Sequence, residues 1–391
     1  MRKYDFDNEI SRSGTGAMMV DGLKEIFGRK DLTALWIADM DFAVCPEITK
    51  ALNDRIKHPI YGYPNVPDSY WQSIIDWLKR RHGWAVTREE LTYIPGVVKG
   101  LGFAINFFSN PGDKIVIQPP VYHPFKMVTE GNGRELLTNP LVLDTDGNYQ
   151  MDLDGLESIF CNSRPKMMIL CNPHNPAGIQ WDNKTLQSVA RLAKKYGVVV
   201  VSDEIHADLM LYGKPHFPYL SSCPEAEETG IAFSAPSKTF NIAGLVSSWC
   251  VIKNPALREP FYKWLSVNEF NAPTFMAMVA TEVAYNDGEE WLDQLLKYRE
   301  GNVAEVERLV AEKMPRIKVV RPQASFLVWL DCRGLGLSHS ELVDLFVNKA
   351  HLALNDGAMF GSEGVGFMRL NVGEPRCAIR RALIQLAEAI D

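Results

Sequence analysis

Between about residues 90 and 255 the chain alternates short apolar, β-branched runs with longer stretches whose apolar positions recur at helical spacing. The runs LTYI, KIVIQ, MMILC, GVVVVSD, IAFSA and SSWCVI read as strands, and the stretches between them as helical connections. Val198 to Val201 are apolar at every position, the pattern of a strand covered on both faces; a half-exposed strand would alternate. The series predicts an α/β fold built on a mostly parallel sheet.

After Asp287 the texture changes. The stretch DGEEWLDQLLKYREGNVAEVERLVAEKM predicts a long amphipathic helix with Asp287 as its N-cap and acidic residues in its first turn. The short runs FLVWLD and FMRLNV follow, with helices, one of them opened by Ser338 and Glu341 at capping-box spacing. This predicts a smaller α+β domain over residues 287–391 beside a large domain over 49–286. Residues 1–48 are too few to build a domain and are expected to pack against the C-terminal part.

Composition narrows the classes of ligand. With 391 residues, 46% of them hydrophobic, the chain can bury a large core, and a net charge of −7 gives no long-range attraction for nucleic acid or anionic lipid. Neither partner is expected, and an anionic ligand must be caught locally. The N-terminal MRKYDFDNEISRSGTG carries charges where a signal peptide needs an apolar core, and no run reaches the roughly eighteen apolar residues of a membrane span, so a cytoplasmic protein is expected. The seven cysteines are scattered without a C-x-x-C pair and read as reduced thiols, and the eight histidines show no ligand spacing, so no metal site is expected.

In an open parallel sheet, ligands sit beyond the carboxyl ends of the strands. The segments that follow five of the runs are polar and specific: PGVVKG, PPVYHPF, NPHNPAG, DEIHAD and PSKTFN. One crevice is expected to gather them. A lysine held there, Lys238, has its pKa lowered by desolvation and becomes a nucleophile or base able to bind an aldehyde cofactor as a Schiff base. Asp203, directly after a buried strand, is costly unless it faces a cation such as a protonated pyridine nitrogen, although an Asp at this junction also suits a helix cap. Asn175 can donate to a phenolate oxygen, and Tyr122 offers a face for stacking. The helix-start amides near Val98 and Lys99, with the hydroxyls of Ser234 and Ser237, can hold a phosphate. These are the requirements of pyridoxal 5′-phosphate. Asn172 serves equally well as a turn former before Pro173, and His206 and His123 read as hydrogen-bonding residues, not as acids or bases.

The ordered motifs PPVYHPF, CNPHNPAG, SDEIHADL and SAPSKTFNIAGL, with WIADMDF (36–42), YGYP (61–64) and FMRLN (367–371), resemble the fold-type I pyridoxal-phosphate enzymes, specifically the aminotransferase-like C–S lyases of the MalY/PatB type. The resemblance spans nearly the whole chain. It implies that Lys238 carries the cofactor and moves the substrate α-proton, that Asp203 pairs with the pyridine nitrogen, that Asn175 contacts the ring oxygen, and that Tyr122 stacks. It further implies that Arg369 clamps the substrate carboxylate, with Ala38, Asn175 and Tyr63 on the substrate side. Tyr61 would reach the phosphate of a neighbouring subunit, which makes the site the property of a homodimer.

Two positions depart from wider patterns of this fold. Many of its aminotransferases place an arginine eight residues after the lysine, where this chain has Val246, and a serine three residues before it, where this chain has Ala235. The first departure agrees with the lyase branch, and the second leaves open which serine holds the phosphate. The resemblance favours β-elimination from cystathionine or related cysteine S-conjugates. A class I/II aminotransferase and a regulatory protein that keeps the cofactor site are the alternatives. A nicotinamide dehydrogenase and a P-loop nucleotidase are disfavoured, since neither G-x-G-x-x-G after the first strand nor G-x-x-x-x-G-K-[ST] is present.

Overall fold

The apolar runs assemble into one seven-stranded sheet in a computed structural model that describes residues 3–144 and 147–390. Its strands are β1 (Leu91–Ile94), β2 (Lys114–Ile117), β3 (Glu135–Thr138), β4 (Met167–Cys171), β5 (Val199–Asp203), β6 (Gly230–Ser234) and β7 (Ser248–Val251). They lie in the order β1-β7-β6-β5-β4-β2-β3, and β7 alone runs against the others, so the sheet is mostly parallel as predicted. Every residue of β4 and β6 is buried. Met168, Leu170 and Val200 point into one apolar cluster, and Met167, Ile169 and Val201 into another on the opposite face. Each such side chain contributes on the order of 2 kcal/mol by leaving water, which explains runs with no polar position.

Five helices matter for the site: α1 (Asp68–His82), α2 (Val97–Phe108), α3 (Pro236–Thr239), α4 (Phe275–Asp287) and α5 (Glu289–Lys313). The long helix does not begin at Asp287 as its sequence suggests. Asp287 is the last residue of α4, and Gly288 takes the cap position of α5 without a side-chain cap. The cause is steric. A Cβ at Gly288 would lie 2.4 Å from the Phe240 ring and 2.5 Å from the Ala284 carbonyl, so the chain turns where the glycine at 288 allows close approach.

Beyond α5, strands β8 (Lys318–Val320), β9 (Leu327–Asp331), β10 (Asn355–Asp356) and β11 (Phe367–Asn371) form an antiparallel sheet in the order β8-β9-β11-β10. Ser338 and Glu341 close the expected capping box. The N-terminal segment lies on this part of the molecule. Thr33–Ala34 pairs in parallel with Leu352–Ala353, Phe6 sits 5.9 Å from Trp291, and Glu9 bonds Arg381 at 2.7 Å. The smaller sheet is drawn against the large one through Gly178, whose carbonyl accepts from the amides of Gln323 (2.8 Å) and Ala324 (3.0 Å). Gly178 has φ +66°, and a Cβ there would meet Pro322 at 2.6 Å, so only glycine permits the approach. Among the described residues no helix is long and apolar enough to cross a membrane.

Candidate active site

A cavity of about 290 Å³ opens where the carboxyl ends of β1, β2, β4, β5 and β6 converge. All five of the polar segments reach it, through Val98 and Lys99, Tyr122, Asn175, Asp203 and Lys238. Ala38 joins them from the N-terminal segment.

Lys238 sits in the single turn α3 that follows β6, and its Nζ donates to the Ala38 carbonyl oxygen. Burial pushes its ammonium below the ordinary lysine value and the charge of Arg369 adds to this, while Asp39 and Asp203 oppose it. Asp203 ends β5, is 4% exposed, and accepts from the Ile205 amide at 3.1 Å. Burial raises its carboxyl to about 7, with Glu204 adding to the shift and the Ile205 amide and Lys238 opposing it. One cavity thus holds an amine eased toward its neutral form and an acid that lacks a strong cationic partner. That is the electrostatic setting a ligand carrying a protonated ring nitrogen would satisfy.

On the side of β1, Gly96 takes φ +111° and starts α2 without any side-chain cap. The first amides of this twelve-residue helix, including those of Val98 and Lys99, therefore have no intrahelical acceptor and face a position suited to an anion. Tyr122 forms part of the wall, its ring held edge-on to Phe125 at 5.8 Å.

Arg369 on β11 is buried behind the wall and reaches it through Asn175. Nη1 donates to Asn175 Oδ1 at 3.0 Å, and Nη2 donates to the Trp36 carbonyl at 2.8 Å and to Asn355 Oδ1. Nε is buried without an acceptor among the described residues, and burial lowers the guanidinium to about 10. With its Oδ1 taken by Arg369, Asn175 has its Nδ2 to offer a ligand oxygen.

Besides Arg369, four of the candidate cofactor- and substrate-binding residues lie off the cavity wall. Ser234 is buried and donates to the Glu204 carbonyl at 2.8 Å; Ser237 is buried in the α3 turn. Tyr61 is exposed, stacks parallel on Phe275 at 5.6 Å, and donates to the Ile56 carbonyl, while Tyr63 is fully exposed. Conversely, the wall includes His206, Cys171 and Val246. His206 faces the cavity and keeps the hydrogen-bonding character expected of it. Its imidazole is pushed down to about 3, first by burial and then by the nearby cations, and Nδ1 lies 3.1 Å from Ser325 Oγ. Val246 holds φ +56°, a backbone region unusual for a β-branched residue, and the signal for it in the sequence was its place eight residues after Lys238.

Comparison with known proteins agrees with this geometry. The model of the "Aminotransferase class I and II" family matches residues 30–385. The chain is 40% identical over 386 residues to cystathionine beta-lyase PatB of Bacillus subtilis (strain 168), covering 99% of this chain and 100% of that one. Among solved structures, cystalysin from Treponema denticola, which contains a pyridoxal 5′-phosphate cofactor, superposes with a TM-score of 0.95 at 32% identity over 99% of each chain. The PLP-bound C–S lyase from Staphylococcus hominis superposes with a TM-score of 0.93 at 30% identity over 100% of this chain and 99% or 98% of that one in its two forms.

Proposed function

The chain belongs to the class I and II aminotransferase family, and within it we propose a pyridoxal 5′-phosphate-dependent C–S lyase acting on cystathionine or another cysteine S-conjugate. Water and the conjugate give pyruvate, ammonia and a free thiol. The observation that carries this reading is the one cavity that gathers Lys238, Asp203, Asn175 and Tyr122 beside the uncapped start of α2.

The residues present fit the cofactor. Asp203 is a buried acid in want of a cation, and the uncapped start of α2 supplies amides for a phosphate. Ser237 is the better placed of the two serines to assist, because the Ser234 hydroxyl already donates to Glu204. When bound, the cofactor supplies an electron sink for the substrate α-carbon. The chain's own work is then distributed. Lys238 Nζ would hold the aldehyde carbon until the substrate amine displaces it and would then carry the α-proton, Asp203 would keep the ring nitrogen protonated, and Asn175 Nδ2 would bond the ring oxygen. Tyr122 would flank the ring, and Arg369, whose buried Nε is still free to donate, would take the substrate carboxylate. Ala38 gives up its contact with Lys238 and borders the substrate.

We further propose a homodimer in which Tyr61 and Tyr63 complete the partner's site, since both are exposed and stand apart from the cavity of their own chain. A cytoplasmic location accords with seven free thiols. Incubation of the cofactor-loaded protein with L-cystathionine and no 2-oxo acid tests the reaction: pyruvate and a thiol in equal amounts are expected. Turnover that strictly requires a 2-oxo acid would instead assign an aminotransferase.

A further inference from the structure

A single turn of helix cannot hold a catalytic side chain in place unaided. Helix α3 has four residues, too few to be stable without external ties. The contacts of its neighbours show where the ties go. Asn241 bonds the N-terminal segment, donating to the carbonyls of Met40 (2.8 Å) and Phe42 (2.9 Å). On the other side Thr239, fully buried and next in sequence to Lys238, donates its Oγ1 to Asp208 Oδ2 at 2.8 Å.

Asp208 is itself an anchored node. Its Oδ1 accepts from Trp77 Nε1 at 2.9 Å and lies 2.7 Å from His82 Nε2, both on α1. Burial works to raise its carboxyl, but the bonds and charge of His82, and the bonds from Thr239 and Trp77, outweigh it and hold Asp208 below the ordinary value. A buried carboxylate is costly unless fully bonded, and this one has partners on both oxygens. Neither Asp208 nor Thr239 lines the cavity that holds Lys238; Asp208 and His82 line a different, open cleft of about 580 Å³.

We propose that Asp208 and Thr239 are positioning residues for the lyase reaction: the Asp208 carboxylate moors the turn carrying Lys238 to helix α1, so that Nζ meets the substrate α-proton in register. The inference rests on the reading of Lys238 as the cofactor lysine. Since neither residue lines the cavity, their loss must act through the placement of Lys238 and fall on turnover more than on binding.

The test uses the cofactor-loaded dimer and three variants, Thr239→Val, Thr239→Ser and Asp208→Asn. Thr239→Val and Asp208→Asn are expected to lower kcat about 10- to 100-fold with KM changed less than about threefold. Both should also move the pH midpoint of the visible band that reports the lysine–cofactor linkage. Thr239→Ser, which keeps the hydroxyl, should restore both quantities. Thr239→Val with wild-type kcat and an unmoved midpoint would overturn the inference, even if its melting temperature falls, because that is the result of a purely structural bond. Thr239→Val decides the matter alone should Asp208→Asn not fold. A wild-type protein that shows no visible band with added cofactor would overturn the Lys238 reading itself, a failure separate from a normal band that Thr239→Val does not disturb.

Discussion

Asp203 and Asp208 lie in one buried stretch of chain, and their carboxyls are held on opposite sides of the ordinary aspartate value. Asp203 accepts a single backbone amide and is raised to about 7, whereas Asp208 has three side-chain partners and is lowered. Burial is common to both, so the difference is made by donors. The acid that faces the cavity is left in need of a cation, and the acid that faces away is spent on structure.

This difference makes stability depend on pH in a defined direction. The folded-state value of Asp203 lies above its unfolded value of 3.8. Its contribution is therefore fully present below that value and is lost as pH climbs through about 7. Stripped of cofactor, the wild-type protein should lose at most about 4 kcal/mol from this group between pH 4 and 8, a loss absent in Asp203→Asn. His206 and His174, both pushed down to about 3, pull the other way, so the quantity to measure is the difference between the two proteins in urea unfolding at pH 4 and pH 8. Identical pH profiles would contradict the reading of Asp203.

If Arg369 binds the substrate carboxylate as proposed, capture depends on the shape of its guanidinium as well as on its charge. Arg369 spends Nη1 and Nη2 on Asn175, Trp36 and Asn355, and these bonds fix the plane of the fork. Arg369→Lys keeps a charge but cannot reproduce that geometry. We expect kcat/KM for L-cystathionine to fall by about 10- to 100-fold, corresponding to roughly 1–3 kcal/mol. Steady-state kinetics that match wild type would remove Arg369 from the substrate site.

Gly288 ties the break between α4 and α5 to the active-site segment, because its missing side chain makes room for the ring of Phe240. Phe240 follows Thr239 directly and packs 5.6 Å from Trp77 and 6.1 Å from Trp291. Gly288→Ala should therefore cost about 1–3 kcal/mol through overpacking, read from the urea midpoint. A change under about 0.5 kcal/mol would show that the ring yields freely.

The same region marks where the sequence stopped being informative. The covered strands were legible because burial on both faces forbids polar residues, as at Val198 to Val201. Strand β3 was not, since ELLT at a sheet edge is half exposed and carries no such signature. Asp287 looked like a cap because its residue type suits one; that Gly288 must admit Phe240 is a fact of packing between distant segments. The gathering of Asn175, Asp203 and Lys238 at one cavity was readable, since each lies at or just beyond the end of a strand fixed by topology. The Asp208 node was not, because its partners at 77, 82 and 239 meet only in three dimensions.

Tyr61 offers the sharpest test of a shared site. In its own chain the ring is 55% exposed, stacked on Phe275 and absent from the cavity wall. If it serves the neighbouring subunit, Tyr61→Ala and Lys238→Ala will each be weak or inactive alone yet complement one another. In a mixed dimer, the subunit that retains Lys238 receives an intact Tyr61 from the other. Unfolding and refolding the two variants together should recover up to about a quarter of wild-type specific activity, because half the dimers are mixed and each has one sound site. Activity no greater than the average of the two separate variants would place Tyr61 outside the site.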